Sequence, residues 1–147
     1  MNALAPLSAM PAMSPSAIDR VRVIEGENLA RPQTDLRFEH RFHAGVYART
    51  MIVPELPEGH GCLITAALIR VPTLLVSQGN ALVYVGEDKP LRLSGHRVIE
   101  AAAGRKTAYV AGSGFHLTMI FATDAKTVEE AEEEFTAEAH MLQSRKS

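Results

Sequence analysis

Residues 62–85, CLITAALIRVPTLLVSQGNALVYV, decide the fold. Short apolar runs rich in Leu, Ile and Val are cut by Pro72 and then by Gly79-Asn80, which reads as two strands, a hairpin turn and a third strand. The predicted strands are Cys62 to Ile69, Leu74 to Ser77 and Ala81 to Val85. Pro72 cannot donate to a ladder, so it belongs at a strand end or on an edge. Upstream, Tyr47 to Val53 alternates, with Tyr47, Arg49, Met51 and Val53 on one face and Ala48, Thr50 and Ile52 on the other. Pro54, Pro57, Gly59 and Gly61 make the loop between. Downstream, a turn at Gly86-Glu87-Asp88 leads to further strands at Leu91 to Leu93, Arg97 to Ala101, Thr107 to Ala111 and Phe115 to Ala122. Seven or eight strands joined by tight turns, with no helical interruption, predict an all-β jelly roll or related small barrel.

The flanks differ in character. Residues 1–16 are almost wholly Ala, Met, Pro, Ser and Leu, without charge, and Pro6, Pro11 and Pro15 oppose helix formation. They read as an extended arm suited to burial against a partner, or as a tail without structure if no partner is there. Residues 17–31 suit a short helix and linker, with Ile18, Val21 and Ile24 at helical spacing behind a Ser16 cap and Arg31-Pro32 as the stop. The β domain then covers 32–124, and 125–147 forms an acidic closing helix and tail. There, Thr127 to Glu130 matches a capping box, and Val128, Ala131, Phe135, Ala139 and Leu142 form one apolar stripe. The glutamates at 129, 130, 132, 133 and 134 read as a solvated face, with Arg145 and Lys146 beyond the helix end.

Composition narrows the function. The chain has 147 residues and a formal net charge of −2, with Lys and Arg scattered, so the footprint of a phosphate-binding surface is missing and nucleic acid is not an expected partner. No stretch is long enough to span a bilayer, and the proline-interrupted start makes a poor signal peptide. The single cysteine, Cys62, reads as a small core residue.

The segment Pro32-Gln33-Thr34-Asp35 through His40-Arg41-Phe42-His43-Ala44-Gly45-Val46-Tyr47-Ala48-Arg49 resembles the opening of the small cupin-like proteins of tailed bacteriophages and prophages. With Ser77-Gln78-Gly79, Gly104-Arg105-Lys106, Tyr109 and the acidic closing helix, the resemblance spans about residues 30 to 135. It implies a single cupin-like jelly-roll barrel. In that family, paired histidines four apart and a third near the end of the last strand hold a divalent metal. The matching positions here are Leu68, Pro72 and Phe121, none of which offers a lone pair. The resemblance therefore implies a metal-free barrel with no cofactor.

The remaining polar candidates are few. Tyr47 and Arg49 share a face and could hold a small anion, or else Tyr47 packs and Arg49 pairs with an acidic neighbour; His116 could face the barrel interior. His40 and His43 face opposite sides of an extended segment, which does not suit chelation. His60 and His96 sit in glycine turns, and His140 faces water on the closing helix. Ser77, Ser94 and Ser113 neighbour turn glycines and lack a nucleophile elbow.

Two functions compete. The resemblance, the lost ligands and the uncharged arm imply a non-enzymatic structural or assembly protein of the phage virion, homo-oligomeric and in contact with other virion proteins. The alternative is a small-molecule-binding or metal-independent enzymatic cupin of isomerase or sensor type, with Tyr47, Arg49 and His116 as pocket groups. A regulatory or host-interaction protein made during infection is a third reading.

Overall fold

The structure is a computed structural model that describes residues 8–86 and 89–145. In chain order it runs β1 (Ala9–Met10), α1 (Pro15–Leu29), β2 (Arg37–His43), β3 (Val46–Ile52), β4 (Cys62–Thr65), β5 (Thr73–Gln78) and β6 (Ala81–Tyr84). There follow β7 (Leu91–Leu93), β8 (His96–Ala101), β9 (Ala108–Ala111), β10 (His116–Ala122) and α2 (Val128–Phe135), then two single 3-10 turns.

The strands form two sheets, β1-β8-β5-β10-β3-β2 and β4-β9-β6-β7. Setting β1 and β2 aside, consecutive strands alternate between the sheets from β3 to β5 and return from β8 to β10, which is the jelly-roll order of two interleaved Greek keys. The sheets face each other across the core without closing into one continuous barrel, which corrects the expectation of a closed one.

Several boundaries differ from the sequence reading. β2 is a full strand that the reading left as a lead-in. It pairs antiparallel with β3 through a tight turn in which Ala44 and Gly45 both take positive φ, 51° and 75°. The predicted strand at 62–69 ends at Thr65, and beyond it only Ile69 makes a bridge, to Arg105. The helix cap is Ser14, which accepts from the Ala17 amide, and Pro15 occupies the first turn. Proline is preset for that position because its missing N–H has no helical partner there.

The arm also differs. Ala9 and Met10 pair parallel with Glu100 and Ala101 of β8, and Met10 is buried in this chain's own core. The described part of the arm therefore lies on its own sheet; residues 1–7 of the expected arm, Glu87 and Asp88 of the expected turn, and Lys146 lie outside the described residues.

α1 docks through Ala17 and Val21. Its approach depends on Gly86, at φ +82°, where a Cβ would collide with Ala17. α2 is shorter than its apolar stripe and ends at Thr136, after which the chain turns back over the domain. Thr127 accepts from the Glu130 amide, the capping-box contact.

Candidate functional site: a cavity between the sheets

The strand register sorts the inward side chains of the larger sheet into rows. Phe42, Tyr47 and Phe121 stand side by side across β2, β3 and β10. The next row is His40, Arg49, Met119, Leu75 and Ile99, and the one after it Phe38, Met51, Leu117 and Ser77.

The first row is packed shut. Tyr47 is 0% exposed, Phe121 meets it edge-on at 5.7 Å between centroids, and Phe135 of α2 meets Phe121 edge-on at 6.1 Å. These are favourable quadrupole geometries. His40, Arg49, Met119 and Leu75 of the second row and Phe38, Met51 and Leu117 of the third border a cavity of about 750 Å³, with Leu63, Ile64 and Tyr109 of the smaller sheet on its far wall. The linker at 33–36, the end of α1 and residues 141–144 form its rim.

Among the described residues three basic side chains are buried: Arg49, Arg105 and Lys106. Arg49 lines the cavity and donates to Glu132 Oε2 at 2.8 Å and to Ser144 Oγ at 3.0 Å, with its guanidinium 4.5 Å over the Phe38 ring. Glu132, 1% exposed, also accepts from Arg145 Nε at 2.7 Å and Ser144 Oγ at 2.7 Å. Burial alone would raise its carboxyl; the Ser144 and Arg145 hydrogen bonds and the Arg49 charge outweigh that and hold it below the ordinary range.

Lys106, 0% exposed, reaches Glu25 of α1 and Glu138, both at 2.9 Å. Glu138 accepts from the Leu68 amide at 2.8 Å and from Arg22 at 3.0 Å. Burial again pushes this carboxyl up, and those partners pull it below its ordinary value.

Arg105 is different. It is 3% exposed, lines the cavity, and donates to Ala102 O at 2.8 Å and Thr73 Oγ1 at 2.6 Å, with the Met119 sulfur at 3.9 Å. Among the described residues no carboxylate pairs with it. Burial lowers its pKa from the ordinary arginine value, as expected of a cation stripped of solvent with no counter-charge in its place. Arginine remains protonated even so.

His40 also borders the cavity. Its Nδ1 lies 2.7 Å from the Tyr47 hydroxyl, and burial, then the nearby Arg49 charge, lower its pKa. The imidazole is therefore neutral at neutral pH.

The expected pocket residues are dispersed by this geometry. Tyr47 is core packing with its hydroxyl on His40, and Arg49 reaches the cavity already paired. His116 is exposed, which corrects its expected inward placement: buried Phe115 and Met119 put the inward phase on odd residues, leaving even-numbered His116 outside. Leu68 is half-buried beside Glu138, Pro72 borders a shallow surface groove with Met10, and Phe121 belongs to the aromatic stack. Among the described residues no cluster of His, Cys, Asp and Glu is arranged to hold a metal ion.

The sequence reading missed Glu132, Lys106 and Arg105 as buried groups. Glu132 carried a signal, because it falls inside the stripe between Val128, Ala131 and Phe135 and cannot share the solvated face. Arg105 and Lys106 carried none, since a basic pair after a turn glycine is ordinarily exposed.

The fold and site define a jelly-roll domain with a ligand-sized cavity between its sheets. No protein-family model matches the chain, and no curated protein matches it. Solved structures similar to it include cupin-superfamily proteins. One, from Desulfitobacterium hafniense, is 17% identical, covers 82% of this chain and 100% of its own, and has a TM-score of 0.48. KdgF from Halomonas sp. is 17% identical over 67% of this chain and 93% of its own, at 0.46. The ectoine synthase of P. lautus is 12% identical over 71% and 76%, at 0.47. At such identities and TM-scores, these neighbours carry nothing about activity to this chain.

Proposed function

We propose that this protein binds a small organic molecule in the cavity between its sheets, in line with the second of the two competing readings. The observation that carries this is Arg105, a buried guanidinium in the cavity wall with no counter-charge among the described residues. The cavity volume of about 750 Å³ falls within the roughly 300–1,000 Å³ usual for small-molecule sites. A sensor and a metal-independent isomerase would share this site; the catalytic form would draw on His40, neutral and held by Tyr47.

The test uses Nile red, an uncharged apolar dye. We expect saturable binding with a blue-shifted emission, lost in Met51→Trp, whose indole grows into the cavity. Equal dye binding by this variant would remove the cavity as the site.

The virion-assembly reading retains one supporting observation. The outer face of the six-stranded sheet exposes Leu74 and Val98, with uncharged Thr50, Val76 and Thr118 among their neighbours. That face would serve a homo-oligomer within a phage particle. Native mass spectrometry tests it: a closed oligomer that falls apart on Val98→Glu supports assembly, and a monomer removes it.

A further inference from the structure

We propose that the ligand is a monocarboxylic acid with an apolar body, its carboxylate held by Arg105; this deepens, and rests on, the small-molecule reading. Charge counting on the cavity wall is the first argument. Arg49 and Glu132 cancel each other, with Arg145 set against Glu132 and Glu133. Glu138 and Glu25 are engaged by Lys106 and Arg22. His40 is neutral. Asp35 and Arg37 stand at the exposed rim, where water screens them. Among the described residues, the uncompensated buried charge is therefore a single positive one, on Arg105.

A ligand that completes this balance carries one negative charge. A cation would face Arg105 with like charge, and a phosphate monoester dianion would bring one negative charge too many into a dry wall.

Donor geometry is the second argument. The Ala102 carbonyl and the Thr73 hydroxyl each accept from one terminal nitrogen of Arg105, which fixes the guanidinium plane. With the Met119 sulfur as a third acceptor, two of its five N–H groups remain, and the two oxygens of a carboxylate can accept both. The wall carries Leu75, Leu117, Met51 and Met119 on one sheet and Leu63 and Ile64 on the other, with Thr65, Thr107 and Tyr109 among its polar members. Its apolar part recovers free energy from a hydrocarbon body.

The experiment is competition against Nile red and direct calorimetry with octanoate, its neutral isostere octanamide, and octyl phosphate, on the full chain. We expect octanoate to bind about tenfold or more tighter than octanamide, as a charge-assisted bidentate contact should provide. Octyl phosphate should be weaker than octanoate. Arg105→Met should erase the octanoate preference while leaving Nile red and octanamide bound. Arg105→Lys should keep part of it, losing the bidentate fork but not the charge.

If octanoate and octanamide bind wild-type protein alike, or octanoate fails to displace the dye, the carboxylate assignment is overturned and the cavity reading stands. If Nile red does not bind wild-type protein, the cavity reading fails as well. The wild-type comparison decides the question even if Arg105→Met does not fold.

Discussion

Arg49 and Arg105 are two guanidiniums in the wall of one cavity, yet only Arg49 has its counter-charge within the described chain. Arg49 is fastened to Glu132 and covered by Phe38 and Phe135, beside the row that aromatic rings have packed shut. Arg105 has two neutral oxygens and a thioether. Burying a charge is costly unless something compensates it. Where the compensation comes from within the chain, the arginine helps to lock an end of the sandwich; where it is missing, the arginine is free to select what enters.

The contrast can be broken at either end. The largest effect should come from the packed end: Phe121→Ala should cost about 4 kcal/mol by denaturant unfolding, against about 2 kcal/mol for Leu117→Ala, whose side chain already borders empty space. Similar costs for the two would mean that the cavity is filled by rearrangement. Glu132→Gln should cost about 3 kcal/mol, because it strands the Arg49 charge. Adding Arg49→Met should recover much of that loss, and a double variant as unstable as the single one would place the damage elsewhere.

Acid should then weaken the packed end. Glu132 and Glu138 have folded pKa values below their ordinary 4.5, so their contribution is present above that pH and is lost as pH falls through the folded values. His40 acts earlier. Its folded pKa lies below 6.5, so the unfolded chain takes up a proton first and stability declines as pH drops from 6.5 toward the folded value. A melting temperature that is flat between pH 7 and pH 5 would contradict the half-buried, Tyr47-bonded His40.

Smaller effects follow. Tyr47→Phe should cost about 1 kcal/mol through the lost His40 hydrogen bond, with the ring packing retained. Arg105→Met should change stability by about 1 kcal/mol or less, since the loss of two charge-assisted hydrogen bonds to neutral oxygens is offset by removal of an uncompensated charge. A loss as large as that of Glu132→Gln would make Arg105 a structural residue and dissolve the comparison.

Much of the strand pattern was legible because alternation and glycine turns are local properties. The inward set Tyr47, Arg49, Met51 could be read from one strand alone. β2 was less visible, since its inward Phe38, His40 and Phe42 are interleaved with Arg37, Glu39, Arg41 and His43 and look polar in sum. His116 was misplaced by phase, and its exposed side follows from buried Phe115 and Met119. The arm was read from composition as a free element, whereas the exposed edge of β8 accepts Ala9 and Met10.

By itself, then, the sequence determined an all-β chain with strand-period patterning, a capped acidic helix and an inward-facing Arg49, all of which depend on neighbours a few residues apart. Only the tertiary structure decided which charges are paired. Arg49 meets Glu132 across 83 positions, Lys106 meets Glu25 across 81, and Arg105 reaches Thr73 across 32 with no carboxylate of the described residues paired to it. Electrostatic compensation depends on distances in space between residues remote in the chain, so the contrast between Arg105 and the paired Arg49 and Lys106 emerges only once both sheets and the closing helix are in place.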